Sequence, residues 1–472
     1  MRPGGERRLT TSSAGPAAPA VLFVTAEALA GRMAGPAIRT LELARALAAD
    51  ERTGPVTVAS LAGAEIEDPA VRLVAAPGRA ELAALVAASG SVVVQGDVLG
   101  LHPWLVESDV PVVVDVYDPF HLEQLERTRD LAEPVRWAVV RDCVTSLNTQ
   151  LARADFVLCA SERQRALWLG HLAALGRVNP VTYDGAADLS SLVAVVPFGT
   201  PGRPPAPGDR SLLAGTVPDL TDQHVVALWG GGIYAWLDPV TLVRAVAAAG
   251  QEAPQLRLVF LGTRHPVPGV DSSAAEARRV AAELGVLDRT VHFHDGWVPY
   301  DDRDRWLRAA DIAVTTHRRH LETEFAFRTR VVDYLWCGLP VVSTEGDELG
   351  DLVARSGAGT VVPEGDVDAL RDALVALTLS APLRAEQAAA SLALGASLSW
   401  TAAARPLADF CAAPHRAADR ALDPVSRLQL GLDRSLRVSG SPVRRVRMAL
   451  REGGAGLLAR RLLDRGRALR RR

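Results

Sequence analysis

Short, wholly apolar runs alternate with amphipathic stretches along most of this 472-residue chain. Val21, Leu22, Phe23 and Val24 form one such run, the pattern of a strand buried on both faces. A loop through Gly31 and Pro36 follows, and residues 37–49 then carry Ile38, Leu41, Leu43, Ala44 and Leu47 at helical spacing. The buried-strand pattern returns at 56–58, 92–94, 112–114 and 156–160. A second set occupies 225–229, 258–261, 291–293, 312–315, 341–343 and 360–362. Strands alternating with helical segments predict the α/β class, with parallel sheets covered on both faces. A Pro/Gly cluster from Pro197 to Gly208 separates the two sets. The predicted organisation is a disordered leader (1–19), a first domain (20–198), a linker (199–222) and a second domain (223–395). Helices around Trp400, Leu407 and Phe410 (396–432) and a tail (433–472) complete it.

Composition narrows the picture. A chain of this length holds two sizeable cores, and 48% hydrophobic with 23% charged residues is typical of a globular protein. The net charge of −3 excludes a general polyanion binder. Lysine is absent, so any cationic contact to a phosphate comes from Arg, His or backbone N–H groups. Cys143, Cys159, Cys337 and Cys411 lack metal-ligand spacing and read as reduced, mostly buried thiols of a cytoplasmic protein. No apolar run reaches the roughly 18 residues of a membrane span. The tail departs from this average: from Arg434 onward about thirteen arginines face two acids, with leucines interleaved. Basic amphipathic segments of this kind bind anionic membrane surfaces, so peripheral attachment to the inner face of the plasma membrane is expected. A solvated tail is the plainer reading, and nucleic acid fits least.

The densest chemistry lies between Glu322 and Thr344, where Glu322, Glu324, Arg328, Arg330 and Asp333 precede a Gly338-Leu339-Pro340 stop. Guanidiniums clamp phosphate oxygens in forked geometry, and carboxylates accept paired hydrogen bonds from sugar hydroxyls. Gly230, Gly231 and Gly232 stand where a strand ends and a helix follows, a place where backbone N–H groups meet a diphosphate; a plain tight turn gives the same text. Gly262 marks the next strand-end turn, and the turn from His294 to Val298 a third. In the first domain, the helix opening near Gly35 offers further N–H groups. Asp115, Asp118 and His121 end the strand 112–114, with Asp118 and His121 lying furthest past it; Asp118 before Pro119 also reads as a helix N-cap. Ser161 opens a capping pattern.

In order and spacing, from about residue 20 to 415, these motifs resemble the retaining GT-B glycosyltransferases of the family 4 type. The stretch from Asp333 to Pro340 carries the resemblance best, and Gly365-Asp366 before a helix adds to it. The resemblance implies two doubly wound Rossmann-like domains with an interdomain cleft. It also implies transfer of a sugar from a nucleoside diphosphate to an acceptor hydroxyl with retention, in cell-surface polysaccharide or glycolipid synthesis, without metal or cofactor. The donor site would comprise Gly35, Gly230, Gly231, Gly232, Tyr234, Gly262, Gly296, Val298, Glu324, Thr329 and Asp333. Gly296 and Val298 would meet the base and Asp333 the ribose, while Asp118, His121, Arg328 and Arg330 would carry catalysis. The chain departs from the family in three places. Glu324 falls one place off the usual first Glu, Asp333 replaces a Glu, and Ala235-Trp236-Leu237-Asp238 stand where an Arg and a Lys usually hold the diphosphate. Two other readings remain: a sugar-nucleotide epimerase of the same fold, and a non-catalytic sugar-nucleotide-binding partner of a glycan assembly complex. A dinucleotide dehydrogenase is disfavoured, since no Gly-x-Gly-x-x-Gly follows the first strand.

Overall fold

The computed structural model describes residues 18–263 and 273–421. Its first sheet contains β1 (Val21–Thr25), β2 (Val56–Ser60), β3 (Arg72–Ala75), β4 (Ser91–Gln95), β5 (Val112–Asp115), β6 (Phe156–Cys159) and β7 (Val193–Val195). The second contains β8 (Val225–Trp229), β9 (Leu256–Phe260), β10 (Val291–Phe293), β11 (Ile312–Thr315), β12 (Val341–Thr344) and β13 (Gly359–Val362). Strand orders are β3-β2-β1-β4-β5-β6-β7 and β10-β9-β8-β11-β12-β13. Every pairing is parallel. β1, β4 and β8 are buried along their whole length because helices cover both faces, which is why their sequences run apolar without alternation. In each sheet the order reverses beside the first strand, β1 against β4 and β8 against β11, and the crevice outside the strand ends at such a point receives ligands.

Two strands lie outside the predicted set. In β3 only Val74 is buried, and β7 has three residues, so neither makes a run long enough to read. Residues 203–217, expected as linker, pack on the second domain. Arg203 pairs with Asp304 at 2.5 Å, Arg210 with Asp311 at 3.1 Å, and Leu213 and Val217 are fully buried. The chain then returns. Thr200 N–H donates to Leu398 O at 2.6 Å and Trp400 N–H to Thr200 O at 3.1 Å. Only glycine fits at 199 in this crossing, because a Cβ there would lie 2.4 Å from Trp400 N. Helix Arg405–Ala412 docks on the first domain, with Phe410 stacked on Phe156 at 4.8 Å.

Closure across the cleft is held by side chains of both domains. Gln164 Nε2 donates to Tyr117 O (2.6 Å) and to Phe325 O (2.8 Å). Arg163 donates to Gly346 O at 2.8 Å and pairs with Asp351 at 2.5 Å. Ser161 caps its helix as expected, accepting from Gln164 N–H, and so aims both residues across the gap. Among the described residues no helix is long and apolar enough to cross a membrane, and no cluster of three metal-ligating side chains occurs. The four cysteines are free. The leader up to residue 17 and the arginine-rich tail lie outside the described residues.

Candidate active site

A cavity of about 160 Å³ opens between the domains at the carboxyl ends of β1 and β8. The first domain lines it with Met33, Ala34, Gly35 and Ile38. The second contributes the Gly230–Gly232 loop, Tyr234, Gly262 and Val298, then Arg303, Thr329, Arg330 and Asp333. Two helices begin at this cavity, Gly35–Ala48 and Thr329–Trp336, and neither has a side-chain cap at its N-terminus. The N–H groups of an uncapped helix start attract anions. The two starts come close together: a methyl added at Gly35 would lie 3.4 Å from the Tyr117 hydroxyl and 3.9 Å from Thr329 Oγ1.

The glycine loop is shaped by its neighbours. Gly230 N–H donates to Tyr334 Oη at 2.8 Å, and that hydroxyl donates to Val314 O at 3.2 Å. A Cβ at Gly230 would meet the Tyr334 ring at 3.1 Å. Gly231 and Gly262 take φ of +84° and +69°, and a Cβ at Gly262 would lie 2.8 Å from the Gly231 backbone. Glycine is therefore required at 262 both by its backbone and by its neighbour.

The structure separates the two arginines that sequence reasoning treated alike. Arg328 donates to both oxygens of Glu322, at 2.8 and 2.7 Å, and both side chains are buried. Burial acts to lower the Arg328 pKa, but Glu322 overrides it and holds the guanidinium above its ordinary value. Arg330 lies over the Trp229 ring at 4.9 Å and donates Nη2–H to Gly232 O at 2.7 Å. Its Nη1 is buried without a hydrogen-bond partner among the described residues, and burial draws its pKa below the ordinary value. An anion beside Nη1 would satisfy the donor and offset the desolvated charge. Arg330 thus reaches the loop that lacks its own cation.

Asp333 lines the same cavity and accepts from Arg303 Nε at 3.0 Å. Arg303 and Tyr300, which the sequence reading did not single out, also line it. Gly296 does not; a Cβ there would press on its own neighbour His294, at 2.8 Å from Nε2. Glu324 is exposed on helix Leu321–Phe325, and Glu322, two residues earlier, is the buried acid of that helix.

Asp118 and His121 part company. Helix Phe120–Arg127 has no side-chain cap, so Asp118 is not its N-cap. Asp118 instead hydrogen-bonds Glu123. Burial first, then the charges of Glu322 and Glu27, push Asp118 up to about 6, net of the opposing bond to Glu123. Glu123 is pushed well above its ordinary value by burial and by Asp118. Both acids thus hold their protons more tightly than usual, and the charge of Arg328 across the cleft opposes this at Glu123. His121 turns the other way, with its ring 5.9 Å from that of buried Trp168, and burial lowers it to about 4. The helical direction of residues 120–127 decides this, and no strand-end rule foresees it.

Two parallel, doubly wound domains facing each other across a cleft are the GT-B fold of glycosyltransferases. Residues 225–379, about a third of the chain, match the family model described as glycosyl transferases group 1. Solved structures agree on the fold. WaaG, a glycosyltransferase of lipopolysaccharide biosynthesis, is 17% identical with a TM-score of 0.57, covering 83% of this chain and 99% of its own. HepE from Anabaena, solved with UDP and glucose, is 16% identical with a TM-score of 0.57 over 83% and 99%. Sucrose-phosphate synthase from Thermosynechococcus elongatus is 16% identical with a TM-score of 0.55 over 83% and 98%. No curated protein sequence matches the chain.

Proposed function

We propose that the chain is a glycosyltransferase that moves a sugar from a nucleoside diphosphate to an acceptor hydroxyl. The observation that carries this is the convergence of two uncapped helix starts, the glycine loop and the unpaired Nη1 of Arg330 on one interdomain cavity. That combination suits a diphosphate, and the charge developing on the leaving diphosphate would be stabilised by Arg330 and the loop N–H groups. Asp333 would accept from the ribose, while Asp118 and Glu123 would face the sugar and the acceptor. Retention follows from the family resemblance. In that chemistry the leaving phosphate takes the acceptor proton, and Asp118 orients the sugar. UDP-sugar donors are supported by analogy with HepE, solved with UDP-glucose, and glycan synthesis by analogy with WaaG. By its composition, the arginine-rich tail supports an anionic lipid surface beside a lipid-linked acceptor.

Thermal melting with UDP-, GDP-, dTDP- and CDP-sugars tests the reading, because a ligand of the native state raises the melting temperature. One sugar nucleotide should stabilise the protein and be consumed when an acceptor panel is added. A second reading, sugar-nucleotide binding without catalysis, draws on the loop 230–238 having neither Arg nor Lys. Stabilisation without consumption across a broad acceptor panel would favour it.

A further inference from the structure

We propose that Arg303 is a positioning residue of the donor site that acts through Asp333, and that Tyr300 ties this geometry to the other domain. The inference rests on the donor reading above. Arg303 lines the cavity, but each of its three nitrogens already donates one N–H to protein. Nε goes to Asp333 Oδ1 at 3.0 Å, Nη1 to Tyr300 O at 2.8 Å and Nη2 to Tyr300 Oη at 3.1 Å. The guanidinium lies 3.7 Å from the Tyr300 ring centroid, with the Trp336 ring at 5.0 Å. In Arg330, by contrast, Nη1 as a whole has no partner among the described residues. Arg303 is therefore held as a brace, with all three nitrogens engaged by Asp333 and Tyr300. It fixes one oxygen of a short carboxylate and leaves Oδ2 to the ligand, so the side-chain entropy of Asp333 is lost before binding.

The brace extends across the cleft. Tyr300 Oη accepts from Arg303 and donates to Glu42 Oε1 of the first domain at 3.1 Å. Tyr300 N–H donates to Gly31 O at 3.0 Å. Glu42 is held in turn by Arg45 at 2.7 Å. A residue of the first domain thus steadies, through Tyr300 and Arg303, the acid expected to hold the ribose.

Calorimetric titration of the full chain with UDP, GDP, ADP, CDP and dTDP tests this on whichever binds tightest. Arg303→Met should weaken binding about tenfold, the scale of one charge-assisted hydrogen bond. Arg303→Lys should recover part of the loss, because it keeps the charge while losing the fork. Adding Arg303→Met to Asp333→Asn should cost little beyond Asp333→Asn alone, the mark of two residues acting as one unit. Glu42→Gln should weaken binding by a few-fold, although Glu42 does not line the cavity. Native-like affinity of Arg303→Met, or losses that multiply in the double variant, would overturn the inference. So would Arg303→Lys binding no better than Arg303→Met, since a brace must respond to restored charge. A chain that binds none of the five nucleotides would overturn the donor reading and this inference together.

Discussion

Arg330 donates Nη2–H to the carbonyl of Gly232 at 2.7 Å, bringing a guanidinium from one helix start into a glycine loop about a hundred residues away in sequence. Arg328, two positions earlier, gives both terminal nitrogens to Glu322. The two arginines should therefore fail differently. Arg330→Ala should leave the melting temperature near native and lower turnover by roughly a hundredfold or more, as loss of a preorganised charge stabiliser does. Arg328→Ala leaves Glu322 buried and unpaired and should cost about 3–5 kcal/mol of stability. Melting curves beside turnover separate the two. Near-native turnover of folded Arg330→Ala would remove it from the diphosphate site.

Asp333→Asn keeps the shape of the side chain but removes the charge facing both Arg303 and the ligand. Nucleoside diphosphate affinity should fall by about 1–3 kcal/mol, the range for a hydrogen bond to a charged group. Calorimetry reads this directly, and unchanged affinity would leave Asp333 as an acid whose only work is to hold Arg303.

Much of this arrangement was legible in the sequence, because it depends on local patterns. Short apolar runs with no alternation, rich in valine and bounded by turn residues, read as strands covered on both faces, so β1, β4, β5 and β8 announced parallel sheets. Glycines at strand ends marked the cleft side of the second domain, and Gly230, Gly231, Gly232 and Gly262 do line one cavity. Partnership was not legible. Nothing in the spacing of Arg328 and Arg330 says which would find a carboxylate, since Glu322 is reached by folding back over one turn. Arg303 was invisible for the same reason: it meets Asp333 from thirty positions upstream through tertiary packing. The direction of His121 was not legible, because a strand end fixes where the chain leaves the sheet, while the helix that follows fixes which way the ring points.

Gly262→Ala probes the shape of the loop itself. Its φ of +69° is unfavourable for alanine, and the added methyl would lie 2.8 Å from Gly231 C, which is backbone and cannot swing aside. Strain of this kind costs about 1–3 kcal/mol. The variant should melt at a lower temperature and bind nucleotide less well, because Gly231 must move. Gly215→Ala is the control: nothing lies within 4 Å of its added Cβ, and its φ is −70°. Equal stability of the two variants would mean that the 231–262 contact is slack in solution.

Asp118 sets a pH window. Burial raises its carboxyl from 3.8 to about 6, with Glu322 and Glu27 adding to the rise. An acid whose folded pKa exceeds its unfolded one takes up a proton on folding. Its contribution to stability is then fully present below about pH 4 and is lost as pH rises through about 6. Glu123, pushed upward as well, extends the loss toward neutral pH. Asp118→Asn cannot ionise and still offers Glu123 a hydrogen-bond partner. It should therefore be more stable than the parent at about pH 7.5 and equal to it near pH 4. Two pKa units correspond to about 3 kcal/mol, and the partial exposure of Asp118 reduces the expected gain to about 1–2 kcal/mol. Urea melts of both proteins at the two pH values measure it. A constant difference between them, or none at either pH, would mean that burial does not raise the Asp118 carboxyl.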